Sequence, residues 1–579
     1  MHKQFLAILA VTVPLGVGLQ PIVAMSEAPA DLIVTGAKLA TLDPDRPAAS
    51  AIAVRGDRIV AIGGDEEIAA LAGPDTNRVD ARGRRVVPGF IEGHGHFMSL
   101  GESLATLDLR SARDWNEIVA IVRRAAAAAS PGEWIVGRGW HQDKWTSIPA
   151  DAVEGLPRNV SLDEATPRNP VYLEHASGHG VLVNSLALKE AGITDTTPDP
   201  PGGVIVRESG GRATGWLVDA AIGPVSAARE RAFAALPADE QRRVLVDQVR
   251  RAGQDALSKG VTSLQDAGSS FATIDLFRSL ADRGELPLRL YVMIGGESNE
   301  SLERGLARYR TVGYGGNFLT VRAIKRLVDG ALGSRSAWLL EPYADDPGNT
   351  GLEHEAVAMI GVTADLALAN GYQLNTHAIG DRANREILDL YERALRAHPE
   401  TRDPRWRIEH AQHVHPDDVP RFAKLGVIAS MQAIGAASDG AWMVKRLGEP
   451  RAGEQTLVFR TLHDAGALIA NGTDVPVEDI DPLANFRATV TRAMADGSRF
   501  HPEQVLTRQE ALATMTVNNA YAAFEEDLKG SLTPGKLADF VVLDRDILEV
   551  PDEDLSKARV DCTVLGGRVV YRRAGESAC

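Results

Sequence analysis

Eight short apolar runs recur between residues 85 and 475, and several carry a polar or charged residue at or near their end. They are RVVPGFIEGH, VTSLQDAG, LRLYVMIGG, VRAIKRLVDG, YQLNTHAIGD, RWRIEHAQ, VIASMQ and ALIANGTDV. Runs this short and this continuously apolar read as strands covered on both faces, the habit of a parallel sheet. Helical periodicity fills several of the gaps, as at residues 238–259 and in RANREILDLYERALRAH at 382–398. Both stretches stand where a βα unit places its crossover helix. Eight such units predict an α/β chain folded as a (β/α)8 TIM-like barrel. A doubly wound open sheet would need a Gly-rich phosphate turn after its first strand, and GFIEGHGH does not supply one.

The chain ends carry a different pattern. DLIVTGAKLATLD and AASAIAVRGDRIVAIG near the start, and ADFVVLD and VDCTVLGGRVVYRR near the end, alternate like short strands, with Gly566-Gly567 placed as a two-residue hairpin turn. Neither end has enough strands for its own domain, so the two are expected to form one small β-sandwich from residues 29–87 and 533–575. The barrel is then expected over 88–125 and 238–532. A large insertion after the first barrel strand, 126–237, reads as a cap. Five of the eight Trp residues lie in the long connection after that strand: Trp115, Trp134, Trp140, Trp145 and Trp216. They serve either the pocket or a core of the cap's own.

Composition narrows the classes. With 62 Lys+Arg against 78 Asp+Glu the net charge is −16, which disfavours nucleic acid and anionic membranes as partners. The two cysteines, Cys562 and Cys579, allow at most one bridge and no CxxC metal motif. Residues 1–28 join His2 and Lys3 to the apolar run FLAILAVTVPLGVGL and small residues, which reads as a cleaved secretory signal. That predicts a periplasmic or secreted protein, free of the membrane after cleavage. Oligomeric state is open.

The candidate chemistry sits at the strand ends. His94 and His96 are two apart on a strand and so share a face, as a bidentate pair for a metal would. His413-Val-His415 repeats the pattern but runs into HPDDVPRF, the start of a helix, and is set aside. His377, His410 and Asp474 each end a separate run, and a barrel would bring all three to the rim that carries His94 and His96. Neutral imidazoles and a carboxylate converging there suit a divalent metal such as zinc. Lys325 ends a further run; its ammonium cannot ligate a cation unless it is deprotonated or converted to a carbamate. His179 and Asn184 in the insertion, and Arg335 after Lys325, are candidates to face a small-molecule substrate, with Arg335 able to clamp a carboxylate. Asp381 could equally cap a helix or orient a ligand.

This pattern resembles the amidohydrolase superfamily of metal-dependent hydrolases over essentially the whole chain. The shared segments are VVPGFIEGHGH (86–96), Lys325 in VRAIKRLVDGALGSRSA, NTHAIGDRAN (375–384), RIEHAQ (407–412), NGTDVPVE (471–478) and LTPGKLADFVVLD (532–544). The wording is similar to the amidohydrolase 3 group, which includes N-substituted formamide deformylases. One departure is IEGHGH, where an aspartate often precedes the first histidine and Glu92 stands nearby. The resemblance implies His94 and His96 on one metal, a carbamylated Lys325 as bridge, His377 and His410 on a second, and Asp474 as metal ligand and acid/base. It implies hydrolysis of a carbon–nitrogen bond by activated water. The substrate would be an N-substituted formamide, or alternatively an N-acyl amino acid, a cyclic amide or an ester. A secreted binding protein on the same barrel is the reading from another class.

Overall fold

The computed structural model describes residues 28–142, 145–153, 155–175, 180–200 and 203–575. The expected signal falls almost wholly outside these residues. All eight apolar runs supply strands of one sheet: β1 Phe90–Gly95, β2 Val261–Ser269, β3 Arg289–Ile294, β4 Leu319–Leu327, β5 Gln373–Ala378, β6 Arg407–His410, β7 Ile428–Met431 and β8 Ile469–Asn471. They pair in sequence order, each parallel to the next. Closure comes just past the end of β8. The Asp474 N–H donates to the His94 carbonyl at 2.8 Å, and the His96 N–H to the Val475 carbonyl at 2.7 Å. The chain is therefore an α/β protein with a TIM-like barrel.

Every residue of β3 is buried, as a strand between helices and barrel interior requires. The outer helices have one apolar stripe each. In Asp381–Ala397 the buried positions Ala383, Ile387 and Tyr391 lie four apart, beside Asn384 and Leu388. Helix Ala238–Ser258 turns Val249, Ala252, Ala256 and Leu257 inward. One core unites these stripes with the outward-facing strand residues.

The first run divides where it was expected to continue. Arg85–Pro88 pairs with Phe540–Leu543 in a second sheet, Val87 opposite Val541, and the barrel strand starts only at Phe90. Gly89 sits at the break, where an added Cβ would lie 2.2 Å from the Thr262 hydroxyl, so only glycine lets the chain pass from one sheet to the other. The second sheet draws on both chain ends and faces a sheet of Ala30–Thr35, Ala51–Arg55, Arg58–Gly63 and Ala72–Asp80. Leu32, Ile52 and Val54 pack there with Phe540, Val542 and Val564. Gly566 and Gly567 both have positive φ, 55° and 74°, in the turn between Val560–Leu565 and Arg568–Arg572.

The insertion begins earlier than residue 126. Leu107–Asp108 pairs with Ile135–Trp140 in the insertion's own sheet, and helix Trp115–Ala128 packs into its core. The helix's apolar stripe, Ile118, Val119 and Val122, needs a partner that the barrel does not offer. Trp115, Trp140, Trp145 and Trp216 form that core, with Trp140 and Trp145 stacked at 5.4 Å, so these indoles hold the insertion together. Trp134 packs against a neighbouring apolar cluster.

Candidate metal centre

Barrel closure puts the two ends of the strand series side by side. Asp474 lies three residues past the end of β8 and His94 lies in β1, and Asp474 Oδ1 is 3.5 Å from His94 Nε2 and 3.2 Å from His96 Nε2. Asp474 holds this position with a φ of 59°, a conformation uncommon for a residue bearing a side chain and typical of functional sites. The His94 ring lies 4.8 Å from that of His410, which lies 4.4 Å from that of His377. Lys325, on β4, is in register with Asn375, next to the strand of His377. The structure thus gathers His94, His96, Lys325, His377, His410 and Asp474 at one mouth of the barrel.

Electrostatics sort the group into donors of lone pairs. Burial pushes the His94 imidazole down to about 3, aided by the charge of Lys325 and opposed by Glu409. Burial also lowers His410, and lowers His377 well below its ordinary value. All three are therefore neutral near pH 7. Burial acts on Asp474 in the other direction, but the adjoining His96, His94 and His410 outweigh it and hold the carboxyl below the usual range. Lys325 is pushed down to about 8 by burial, against the pull of Glu409 and Asp474.

Neutral imidazoles around an ionised carboxylate make a cation site. The orphaned atoms agree. His94 Nε2 and Asp474 Oδ1 are buried polar atoms without a hydrogen-bond partner, and with a nitrogen of His410 they lie within 4.8 Å of one another. Leaving such atoms unpaired is costly, and a shared divalent ion would satisfy them together.

Three carboxylates near this centre, Glu409, Asp266 and Asp329, escaped notice in the sequence, and a fourth, Glu92, was noted there only for its place before His94. Glu409 accepts from Nδ1 of His94 and pairs with Arg407, both side chains fully buried. Asp266, on β2, accepts the Phe97 N–H at 2.9 Å and so fixes the chain just after His96. Asp329 accepts N–H groups from Trp338, Ile379 and Gly380 at 2.8–2.9 Å and lies 3.5 Å from His377 Nε2, binding the loop after β4 to the end of β5. Glu92 accepts from the Thr473 N–H at 2.6 Å and its hydroxyl at 3.0 Å, and from the His94 N–H at 3.2 Å, which ties the closure to the backbone of His94. The sequence marked only their place, an acidic residue inside or shortly after a strand run, and not their partners.

Other expected positions do different work. His179 lies outside the described residues. Asn184 is buried in the insertion, with its side chain bonded to the insertion's own residues. Its carbonyl caps helix Ser185–Glu190 at Ala187 N–H and also takes Val171 N–H, and its amide donates to Thr166 and Asn169. Arg335 makes a bidentate pair with Asp345 at 3.1 and 2.9 Å, which occupies the cation expected for a substrate carboxylate. Asp381 accepts N–H groups of Leu340 and Arg382, so it secures a loop and a helix start. His413, set aside as a ligand, is buried with its Nδ1 on the Thr456 hydroxyl.

Comparison with known proteins extends this picture. A family model described as Amidohydrolase family matches residues 78–571. LONG AFTER FAR-RED 3 of Arabidopsis thaliana is 36% identical over 561 residues, 94% of this chain and 92% of that protein. N-substituted formamide deformylase of Arthrobacter pascens is 28% identical over 550 residues, 94% of this chain and 99% of that one. The crystal structure of an uncharacterized metal-dependent hydrolase from Pyrococcus furiosus matches with a TM-score of 0.72 at 26% identity, covering 90% of this chain and 100% of the other.

Proposed function

Because this chain belongs to the amidohydrolase family, we propose that it is a metal-dependent hydrolase that cleaves a carbon–nitrogen bond of a small, non-peptide amide. The observation that carries this reading is the meeting of His94, His410 and Asp474 within 4.8 Å, two of their atoms buried and unpartnered. Together with His96 and His377 these side chains would hold one or two divalent ions, with zinc the best match to imidazole and carboxylate donors. When bound, such an ion supplies Lewis acidity toward a water and a carbonyl oxygen.

The chain's own residues then divide the labour. Asp474, ionised near neutral pH, accepts a proton from the attacking water and returns it to the departing nitrogen, since an amide nitrogen leaves poorly without one. His94, His377 and His410 stay neutral and keep their lone pairs available. Lys325 is half-buried, and among the described residues it has no hydrogen bond or ion pair. That suits conversion to a carbamate, which would add a second anionic ligand. An N-substituted formamide is the favoured substrate. The deformylase likeness supports it, and so does Arg335, whose engagement by Asp345 leaves no ready clamp for the carboxylate of an N-acyl amino acid.

A panel of formamides, N-acyl amino acids, cyclic amides and esters, run with metal-loaded wild type, His94→Ala and Asp474→Asn, tests the proposal. Wild type should retain metal and hydrolyse formamides best. His94→Ala should lose ions and turnover together. Asp474→Asn should lower kcat by about 10²–10⁴-fold. No hydrolysis of any class by metal-loaded wild type, or an unimpaired Asp474→Asn enzyme, defeats the reading.

A further inference from the structure

Arg407 and Glu409 lie two residues apart on β6 with both side chains fully buried. The guanidinium reaches across the barrel. It donates to the Gly93 backbone carbonyl on β1 at 2.8 Å, to the Ser430 hydroxyl on β7 at 2.7 Å and to the side-chain Oε1 of Gln265 on β2. Glu409 lies against it, with Oε1 2.7 Å from Nε and Oε2 3.0 Å from Nη2, and Oε2 also accepts from Nδ1 of His94. β1 and β6 are not neighbours in the sheet, so this contact spans the interior.

We propose that Arg407 and Glu409 form a positioning pair for His94: Glu409 keeps the proton on Nδ1 and the ring turned so that Nε2 faces Asp474, and Arg407 anchors both Glu409 and the backbone of Gly93. The inference rests on the metal-hydrolase reading and deepens it. A buried ion pair is a weak source of stability, because desolvation consumes most of its attraction. Orientation is what this one adds. A histidine that ligates through one ring nitrogen needs its other N–H held, and loss of such a partner weakens metal binding about 10–100-fold.

The test uses metal-stripped wild type, Glu409→Gln and the double variant Arg407→Met/Glu409→Leu. Each is titrated with Co²⁺, reading chelator competition, the visible absorption bands and the thermal midpoint of the metal-free protein. Glu409→Gln keeps a neutral acceptor and should bind about tenfold more weakly, with altered bands. The double variant removes the acceptor yet leaves no unpaired buried charge, and should bind about a hundredfold more weakly while still folding. A folded variant with wild-type affinity and bands overturns the positioning role. Loss of folding in both variants also overturns it, since the pair would then serve the barrel and not the ligand. Wild type that binds no Co²⁺ defeats the metal reading itself, and the positioning role falls with it.

Discussion

Asn184 has its hydrogen-bonding capacity committed to the insertion, and Arg335 is held by Asp345. Asn184→Ala removes a helix cap and leaves buried N–H groups unmet, so it should cost about 2 kcal/mol of stability while kcat/KM of the folded enzyme stays near wild type. Arg335→Ala breaks a partly exposed pair and should cost under about 1 kcal/mol. Thermal melts beside steady-state kinetics check both. A tenfold rise in KM for Asn184→Ala, without a fall in melting temperature, would restore it to the substrate site. Lys325 invites a different measurement. With its amine pushed down to about 8 by burial, the ammonium dominates below that pH and the neutral amine, the form that adds CO2, above it. Reactivation of stripped enzyme by metal should therefore be faster with dissolved CO2 than in CO2-depleted buffer, and at equal dissolved CO2 the gap should widen as pH rises through about 8. Lys325→Arg, which cannot shed its proton, should show no gap. Equal rates for wild type in the two buffers would exclude a carbamate. The candidate residues that meet at the barrel mouth were readable, because His, Lys and Asp at or near strand ends are few. Their supports were not: Glu409 and Asp329 act through partners roughly 50 to 300 positions away in the chain.

At the scale of elements, period and composition carried most of the information. The eight runs became β1–β8 because continuous apolar stretches of this length are stable only when covered on both sides. Boundaries failed where two sheets share one run, as at Gly89, and where the insertion captured helix Trp115–Ala128. In both places local pattern is the same on either side of the border, and the choice of partner is made by distant strands. Helix Arg508–Thr514 shows a signal that is fully local. Thr507 and Glu510 form a reciprocal cap, and Glu510 also pairs with Arg460 at 2.5 Å. The Arg460 contact foremost holds the Glu510 carboxyl down to about 2, against an unfolded value of 4.5. A depressed carboxyl stabilises the fold above its unfolded pKa, and that contribution disappears as pH falls through the folded one. Glu510→Gln should thus cost about 1 kcal/mol at pH 7, and the difference from wild type should shrink between pH 5 and pH 2. Urea melts at pH 7, 5 and 3 measure this; a difference independent of pH would mean that the charge contributes nothing.

The whole molecule depends on its two ends meeting. Phe540, Val542 and Val564 complete the sandwich core, and strand Phe540–Leu543 holds Arg85–Pro88, which leads directly into β1 and His94. A chain ending at residue 532 should be insoluble or melt without cooperativity, and should bind no metal. A soluble, cooperatively melting product would show that the sandwich is dispensable. By itself the sequence determined the number and kind of strands, the pairing of its ends and the residue types suited to a cation, because hydrophobic period and side-chain chemistry are local properties. Which of those side chains face one another was decided by closure of β1 onto the end of β8. So was the division of labour among buried carboxylates, and so were the duties of Asn184 and Arg335. Such choices depend on distances across the interior, and those exist only once the barrel has closed and water has left it.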